Sequence, residues 1–388
     1  MLTRLVARDF RNFSELDVAV PPRGLVIVGE NGHGKTNLLE AAAYLSLLRS
    51  MRATRDIDMI RFGASALHVR AELTPPAAAR NVSVGYERAT RRKKATLDGV
   101  EQPRLTAALG ALPSVGFSPA DVSLVAGSPG ERRRYLDVAL ALSSRAYLSA
   151  LQQYRAALLR RNTVLRQAQR DGGTGARAHG FSEQVSVWEP VLAEQGALVT
   201  AMRQRFVHGH AERFSQLATA IGERLPVTMR YTVSSAGGTA STIHEADGQP
   251  LESVAATYRE LFTRALIQQR PQEMRRGMTL VGPHRDEMAL LLGGRELRTF
   301  GSAGQQRSTA IALRLLELAT LRDAIGGTPL LLLDDPFAEL DLGRARRVLT
   351  LLEDTGVDQV LLAVPRVEDI PAAFTRLERR TMCEGVLS

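Results

Sequence analysis

Three short stretches of this chain carry residue types that could do chemistry. GENGHGKT (Gly29–Thr36) combines spaced glycines with a lysine and a hydroxyl. Glycine lets backbone N–H groups face a phosphate with no Cβ in the way, and a following helix adds positive potential. Lys35 would reach the β- and γ-phosphates of a nucleotide and Thr36 would hold Mg²⁺. Gly29, Glu30, Asn31, Gly32, His33, Gly34 and Asn37 would complete the cradle. LLLLDD (Leu330–Asp335) delivers two carboxylates at the end of a leucine run. Asp334 would hold the metal, and Asp335 would orient or deprotonate an attacking water. Read alone, the same pair could simply cap a turn. GSAGQQRS (Gly301–Ser308) opens a helix with an unusually polar turn. Ser302 suits a plain helix cap, but a cap does not explain Gln305, Gln306 and Arg307. Asp341, at the end of AELD, also suits a cap.

These groups need elements to position them. GLVIVG reads as a buried strand and TNLLEAAAYLSLL as the helix after it. Short strand patterns occupy 66–100, with Asp98-Gly99 as a turn. From Pro119 the period becomes helical: Tyr147, Leu151, Tyr154, Leu158 and Leu165 share one stripe. After a Gly-rich connector, DGGTGARAHG, a second stripe holds Trp188, Val191, Leu192, Val199, Met202 and Phe206. Strand patterns return in PVTMRYTVSS and GMTLVGPHRDEMALLLGG, followed by the polar-turn helix, the leucine strand and DQVLLAV. The expected organisation is an α/β lobe over 1–118, a helical insertion over 119–271, and a second α/β lobe over 272–388.

Lys and Arg outnumber Asp and Glu by 50 to 41, which points to a polyanionic partner, although a coding bias toward Arg would look the same. Phosphate contacts need cations without sequence reading. Candidates are Arg91, Arg92, Lys93 and Lys94 in a hairpin, then Arg132, Arg133, Arg160 and Arg161 in the insertion. Arg134, Arg155 and Arg166 accompany them, and some of these will be surface charge alone. The one cysteine, Cys383, excludes an intrachain disulfide and fits a reducing compartment. No apolar run approaches a membrane span, so a soluble, intracellular protein is expected.

The order of phosphate loop, S-x-G-Q-Q-R helix, aliphatic strand with Asp-Asp, and AELD resembles the ABC-type ATPases. In that superfamily the signature helix reads the γ-phosphate held by a second protomer. Ser302, Gly304, Gln305 and Asp341 would then belong to a site completed by another copy. Lys35 and Asp334 lie about 300 residues apart. That is wider than in transporter subunits and narrower than in SMC proteins with long coiled coils. DFRNF, GKTNLLEA, SMR (Ser50–Arg52), GSPGERRRYLD, TLVGPHRDE, SAGQQR and LLLLDDPFAELD resemble the RecF family, from residue 9 to 341. The resemblance implies a discontinuous ABC-type P-loop ATPase head of α/β class with an inserted helical domain. It implies ATP and Mg²⁺ as cofactors, an ATP-dependent homodimer and slow, DNA-stimulated hydrolysis. It further implies binding to double-stranded DNA near single-strand gaps, and cooperation with RecO and RecR to help load RecA. The setting would be recombinational repair, replication-fork maintenance and the SOS response, in a cytoplasmic, nucleoid-associated protein without a membrane partner.

Several positions depart from the family pattern. His33 stands where Gln is usual, at a position that acts mainly through its backbone. Pro336 replaces an aliphatic residue. Val364-Pro365 replaces a polar residue near the γ-phosphate, which suggests slow turnover because neither side chain hydrogen-bonds phosphate. FSPAD (Phe117–Asp121) stands where the superfamily carries a Gln-bearing loop. The sequence assigns no role to His284 and Arg285 in GPHRDE. A transporter subunit would predict a membrane-domain partner, an SMC-like structural head would need coiled coils, and a nuclease would need a further acidic cluster.

Overall fold

The computed structural model describes every residue except 53–54, 76, 78, 172–175, 236–237, 241–248 and 339. Part of the Gly-rich connector and the Glu of AELD lie outside the described residues. The chain divides into two compact units. The first comprises Met1–Val122, Ala220–Glu223 and Ala303–Ser388; the second comprises Ser123–Thr219 and Arg224–Ser302.

The first unit contains a sheet built from the apolar runs. Gly24–Val28, Leu330–Asp334 and Val360–Val364 are buried almost throughout. Strands covered on both faces need no polar alternation, which is why these runs are continuous. The strand order is Val386–Leu387, Glu378–Cys383, Gly24–Val28, Val360–Val364, Leu330–Asp334, Ser114–Phe117. Every neighbour pair is parallel except the C-terminal hairpin at the edge. One strand therefore separates Gly24–Val28 from Leu330–Asp334, a gap of about 10 Å at two ladder spacings.

A second six-stranded sheet in this unit is antiparallel, in the order Phe13–Ala19, Leu2–Phe10, Ala66–Leu73, Asn81–Glu87, Lys93–Leu97, Val100–Glu101. Its strands alternate, with Leu5, Ala7, Val69 and Val84 inward and Arg4, Arg8 and Arg70 outward. Helix Lys35–Leu47 packs against strands of both sheets. Its small Ala41, Ala42 and Ala43 are buried, which lets the helix lie close to both layers. Leu5, Phe10 and Val69 join Leu38 and Tyr44 of this helix and Leu25, Leu332 and Leu361 in one apolar cluster.

The second unit holds the helices Pro129–Ser143, Arg145–Asp171, Ala176–Ser186 and Leu251–Arg276, and most of Glu189–Ile221. Tyr147, Leu151, Tyr154 and Leu165 are buried, as their spacing predicts. On the second stripe Leu192, Val199 and Phe206 are buried, whereas Val191 faces solvent. This unit is not purely helical. Its antiparallel sheet runs Gly238–Ala240, Val227–Ser235, Glu287–Leu292, Arg295–Glu296. Glu287–Leu292 pairs with Val227–Thr232, and that ladder ties residues beyond 271 to the insertion. The unit consequently extends to Ser302 rather than ending at 271. No helix among the described residues is long and apolar enough to cross a membrane.

Candidate functional site

The loop between Gly24–Val28 and helix Lys35–Leu47 turns on Gly32 and Gly34, at φ of 89° and 112°. A Cβ on Gly34 would come within 2.6 Å of Asn12 Nδ2, and one on Gly29 within 2.3 Å of the Met382 carbonyl oxygen. The glycine spacing thus answers both to backbone conformation and to close neighbours. Asn31, Gly32, Gly34, Lys35, Thr36 and Asn37 line a cleft of about 150 Å³ together with Arg52, Asp334, Asp335 and Pro365. Gly29 and Glu30 contribute carbonyl oxygens, which accept from Lys35 Nζ at 2.5 and 2.8 Å. Burial pulls the Lys35 amine below the usual lysine range, against the opposing pull of Asp334 and Asp335.

Thr36 Oγ1 donates to Asp334 Oδ1 at 2.8 Å. Burial pushes the Asp334 carboxyl up, and the Thr36 bond opposes that push. A hydroxyl and a part-buried carboxylate at this separation are hard oxygen donors of the kind Mg²⁺ takes, so the residues present fit that ion. Along a strand, successive side chains alternate between faces. Asp335 escapes this alternation because its backbone is left-handed, with φ 47°. Both carboxylates therefore line the same cleft.

Arg52 is a cleft residue that sequence reasoning marked only as part of a family-like stretch. Its Nη2 donates to Asn37 Oδ1 and to Glu40 Oε2, both at 2.6 Å. Glu40 is fully buried and also accepts from Arg11 and Ser50. Burial alone would raise the Glu40 carboxyl, but these donors hold it below the usual range. The available signal was a lone glutamate inside LLEAAAYL, since a carboxylate among buried alanines needs a cation.

The polar-turn helix spans Ala303–Ile325 and follows Ser302, which is exposed. Arg307 is buried and donates to the carbonyls of Ser118 and Pro336 at 3.3 and 3.4 Å. It thereby links FSPAD to the turn after the Asp pair. Gly304 lies against Arg344, where an added Cβ would meet Nη1 at 3.2 Å. Neither Gly304 nor Gln305 is among the residues lining the cleft. Asp341 is an N-cap: it accepts from the Arg344 N–H at 2.9 Å and opens helix Leu342–Asp354. Leu342 beside it is 79% exposed.

The basic candidates separate by burial. Arg91 and Arg92 are exposed, and Lys94 is exposed while pairing with Glu101. Lys93 is different: it pairs with Asp56 at 2.5 Å, lies over the Tyr44 ring and donates to the Leu48 carbonyl. Arg132 is buried against Glu287, and Arg161 against Glu189 and Glu273. All three are spent on contacts within the fold, and withdrawing Arg161 would leave the fully buried Glu273 without its cation. Arg133 is half-buried and donates to the Asp286 carbonyl, whereas Arg160 is exposed and lies over the Trp188 ring. Within GPHRDE, His284 bonds Tyr154 and the Thr279 carbonyl, and Asp286 accepts from Tyr231, Thr200 and the Ser234 N–H. This motif is a structural core of the second unit.

The model of the RecF/RecN/SMC N terminal domain family matches residues 1–373. The DNA replication and repair protein RecF of Halalkalibacterium halodurans is 34% identical over 370 residues, covering 92% of this chain and 94% of that protein. Its counterpart in Rhodococcus erythropolis is 36% identical over 375 residues, covering 95% and 90%. Among solved structures, the recombination mediator protein RecF-ATPrS in the RecFOR pathway superposes with a TM-score of 0.83 at 25% identity, covering 100% of this chain and 97% of that one. An SMC head bound to the C-winged helix domain of ScpA shares the fold at a TM-score of 0.51 and 15% identity. With a glycine-rich loop, an Asp pair and a polar-turn helix in this order, and with relatives matched over nearly their whole length, the chain belongs to the RecF family.

Proposed function

We propose that the cleft binds ATP with Mg²⁺, that ATP joins two copies of the chain, and that the dimer clamps duplex DNA near single-strand gaps. The carrying observation is a division of parts. Lys35, Thr36, Asp334 and Asp335 line one cleft, while Gly304 and Gln305 of the polar-turn helix are not among its lining residues. A helix N-terminus is an anion site, so this one fits a phosphate held elsewhere, by a second copy. Exposed Ser302 and Leu342 suit the same joint.

In this reading Lys35 and the loop N–H groups hold the phosphates, and Thr36 and Asp334 hold Mg²⁺. The metal, when bound, neutralises charge on the phosphate oxygens. Asp335 orients the attacking water. Pro365, in the cleft wall, brings no side-chain donor or acceptor, so hydrolysis is slow; stimulation by DNA is the part of this reading that the family resemblance supplies. Arg91, Arg92, Lys94, Arg133 and Arg160 serve phosphate contacts. The RecFOR pathway named for the solved relative supports work alongside RecO and RecR; in this reading the chain helps load RecA, in a cytoplasmic, nucleoid-associated setting.

The test is sedimentation with and without ATP and duplex DNA. Wild type should dimerise with ATP, and Lys35→Met should remain monomeric. Ser302→Arg should bind ATP as well as wild type yet stay monomeric. Loss of nucleotide binding by monomeric Ser302→Arg would overturn the assignment to a second copy.

A further inference from the structure

The phosphate loop is gripped from behind by two segments from opposite ends of the first unit. The His33 carbonyl accepts from Asn12 Nδ2 at 3.2 Å and from the Gly385 N–H at 2.9 Å. The Glu384 N–H also donates to His33 Nδ1 at 3.3 Å. Asn12 lies in the turn after Leu2–Phe10, and Glu384-Gly385 is the C-terminal hairpin turn, with φ of 47° and 84°. A Cβ on Gly385 would meet Asn12 Nδ2 at 3.2 Å, and one on Gly34 would meet it at 2.6 Å. Asn12 thus fits between two glycines.

The amide orientations in this cluster are set from one end. Arg52 has only donors, so Asn37 turns its Oδ1 toward it. Asn37 Nδ2 then donates to Asn12 Oδ1 at 2.7 Å. Asn12 is left with Nδ2 facing the His33 carbonyl. The peptide joining His33 to Gly34 is planar and trans, so its N–H points opposite to its C=O. Holding that oxygen back aims the Gly34 N–H forward, and Gly34 lines the cleft.

We propose that Asn12 and the Glu384-Gly385 turn are positioning elements of the phosphate site, acting through the His33 carbonyl to set the Gly34 N–H before nucleotide arrives. This rests on the nucleotide reading above. Pre-set donors bind phosphate without an ordering cost at the moment of binding. Sequence reading placed His33 as a backbone position, and the grip adds a use for its ring.

The experiment is equilibrium titration with ATP and, separately, with inorganic pyrophosphate, alongside thermal unfolding without nucleotide. Asn12→Asp keeps the shape and removes the donor to His33 but adds a charge, so the uncharged Asn12→Leu is measured beside it. Both variants should weaken both ligands by about tenfold, the loss of one hydrogen bond, with little change in nucleotide-free unfolding. Gly385→Ala should weaken both ligands as well, with some loss in nucleotide-free unfolding because an alanine at φ 84° is strained; the double variant should lose less than the two effects added, because both act on one carbonyl. Wild-type affinity in Asn12→Asp, or additive losses in the double variant, would overturn the proposal. Should either single variant fail to fold, the other and His33→Leu, which loses the ring acceptor for the Glu384 N–H and should weaken both ligands, decide it. Failure of wild type to bind ATP or pyrophosphate would instead overturn the nucleotide reading.

Discussion

Arginine does opposite work in the two units. Arg52 in the first unit lines an open cleft and keeps 41% of its side-chain surface in water. Arg161 in the second unit is fully buried, with Glu189, Glu273 and Thr279 as partners. Arg203 is similar, bonding Asp137, Tyr147 and the Pro283 carbonyl. Both sets answer a carboxylate with a guanidinium. Where water and a cleft remain, the cation is available to a ligand. Where they do not, the pair fixes helix against helix, and breaking it leaves an uncompensated charge. A basic stretch in the insertion is therefore no guide to nucleic-acid contact until burial is known.

The comparison can be broken at its buried side first. Arg203→Met should leave buried Asp137 with only the exposed Arg155 as its cation and cost about 3 kcal/mol in denaturant unfolding of the second unit, with ATP affinity retained. An equal loss of ATP affinity would erase the distinction between the units.

A smaller effect is expected from pH. Burial pushes His284 down to about 4, while the unfolded chain's imidazole titrates near the ordinary value of about 6.5. Below that value the unfolded state binds a proton that the folded state refuses, so stability falls as pH drops from about 6.5 to about 4. Asp286 works the other way, because burial raises its carboxyl. His284→Gln isolates the imidazole: its unfolding free energy should fall less on acidification than that of wild type, by roughly 3 kcal/mol across the interval. Parallel pH profiles for the two proteins would remove His284 from the account.

The least costly change should be at exposed arginines. Arg91→Ala and Arg92→Ala should leave unfolding unchanged and weaken duplex binding by a few-fold each, reducing the salt slope by about 1 per residue. Arg132→Ala should instead show its loss in stability, since Glu287 would lose its buried partner. An unchanged salt slope in both surface variants would move the DNA contact elsewhere.

Much of the candidate site was legible because its constraints are local. GENGHGKT needs particular backbone angles and a lysine at the helix start, and LLLLDD needs a doubly covered strand ending in carboxylates; each requirement is written in consecutive residues. Arg52 and Asn12 were not legible as site residues because their importance comes from partners far along the chain, Glu40 and His33. The division of the basic residues was equally hidden. RATRRKK reads as one charged run, yet Lys93 points inward to Asp56 while Lys94 stays outside. Alternation along a strand explains it, but only once the covered face is known.

By itself, then, the sequence determined the glycine turn, the Asp pair, the polar-turn helix, the α/β class and the family. Local spacing and apolar runs suffice for these, since each motif carries its own geometry. Only the tertiary structure decided that the second unit reaches Ser302, that Asp341 caps a helix, that Arg307 ties two loops together, and that the C-terminal turn grips the phosphate loop. Those outcomes depend on strand pairing and burial, which bring together residues whose types alone do not say whom they will meet.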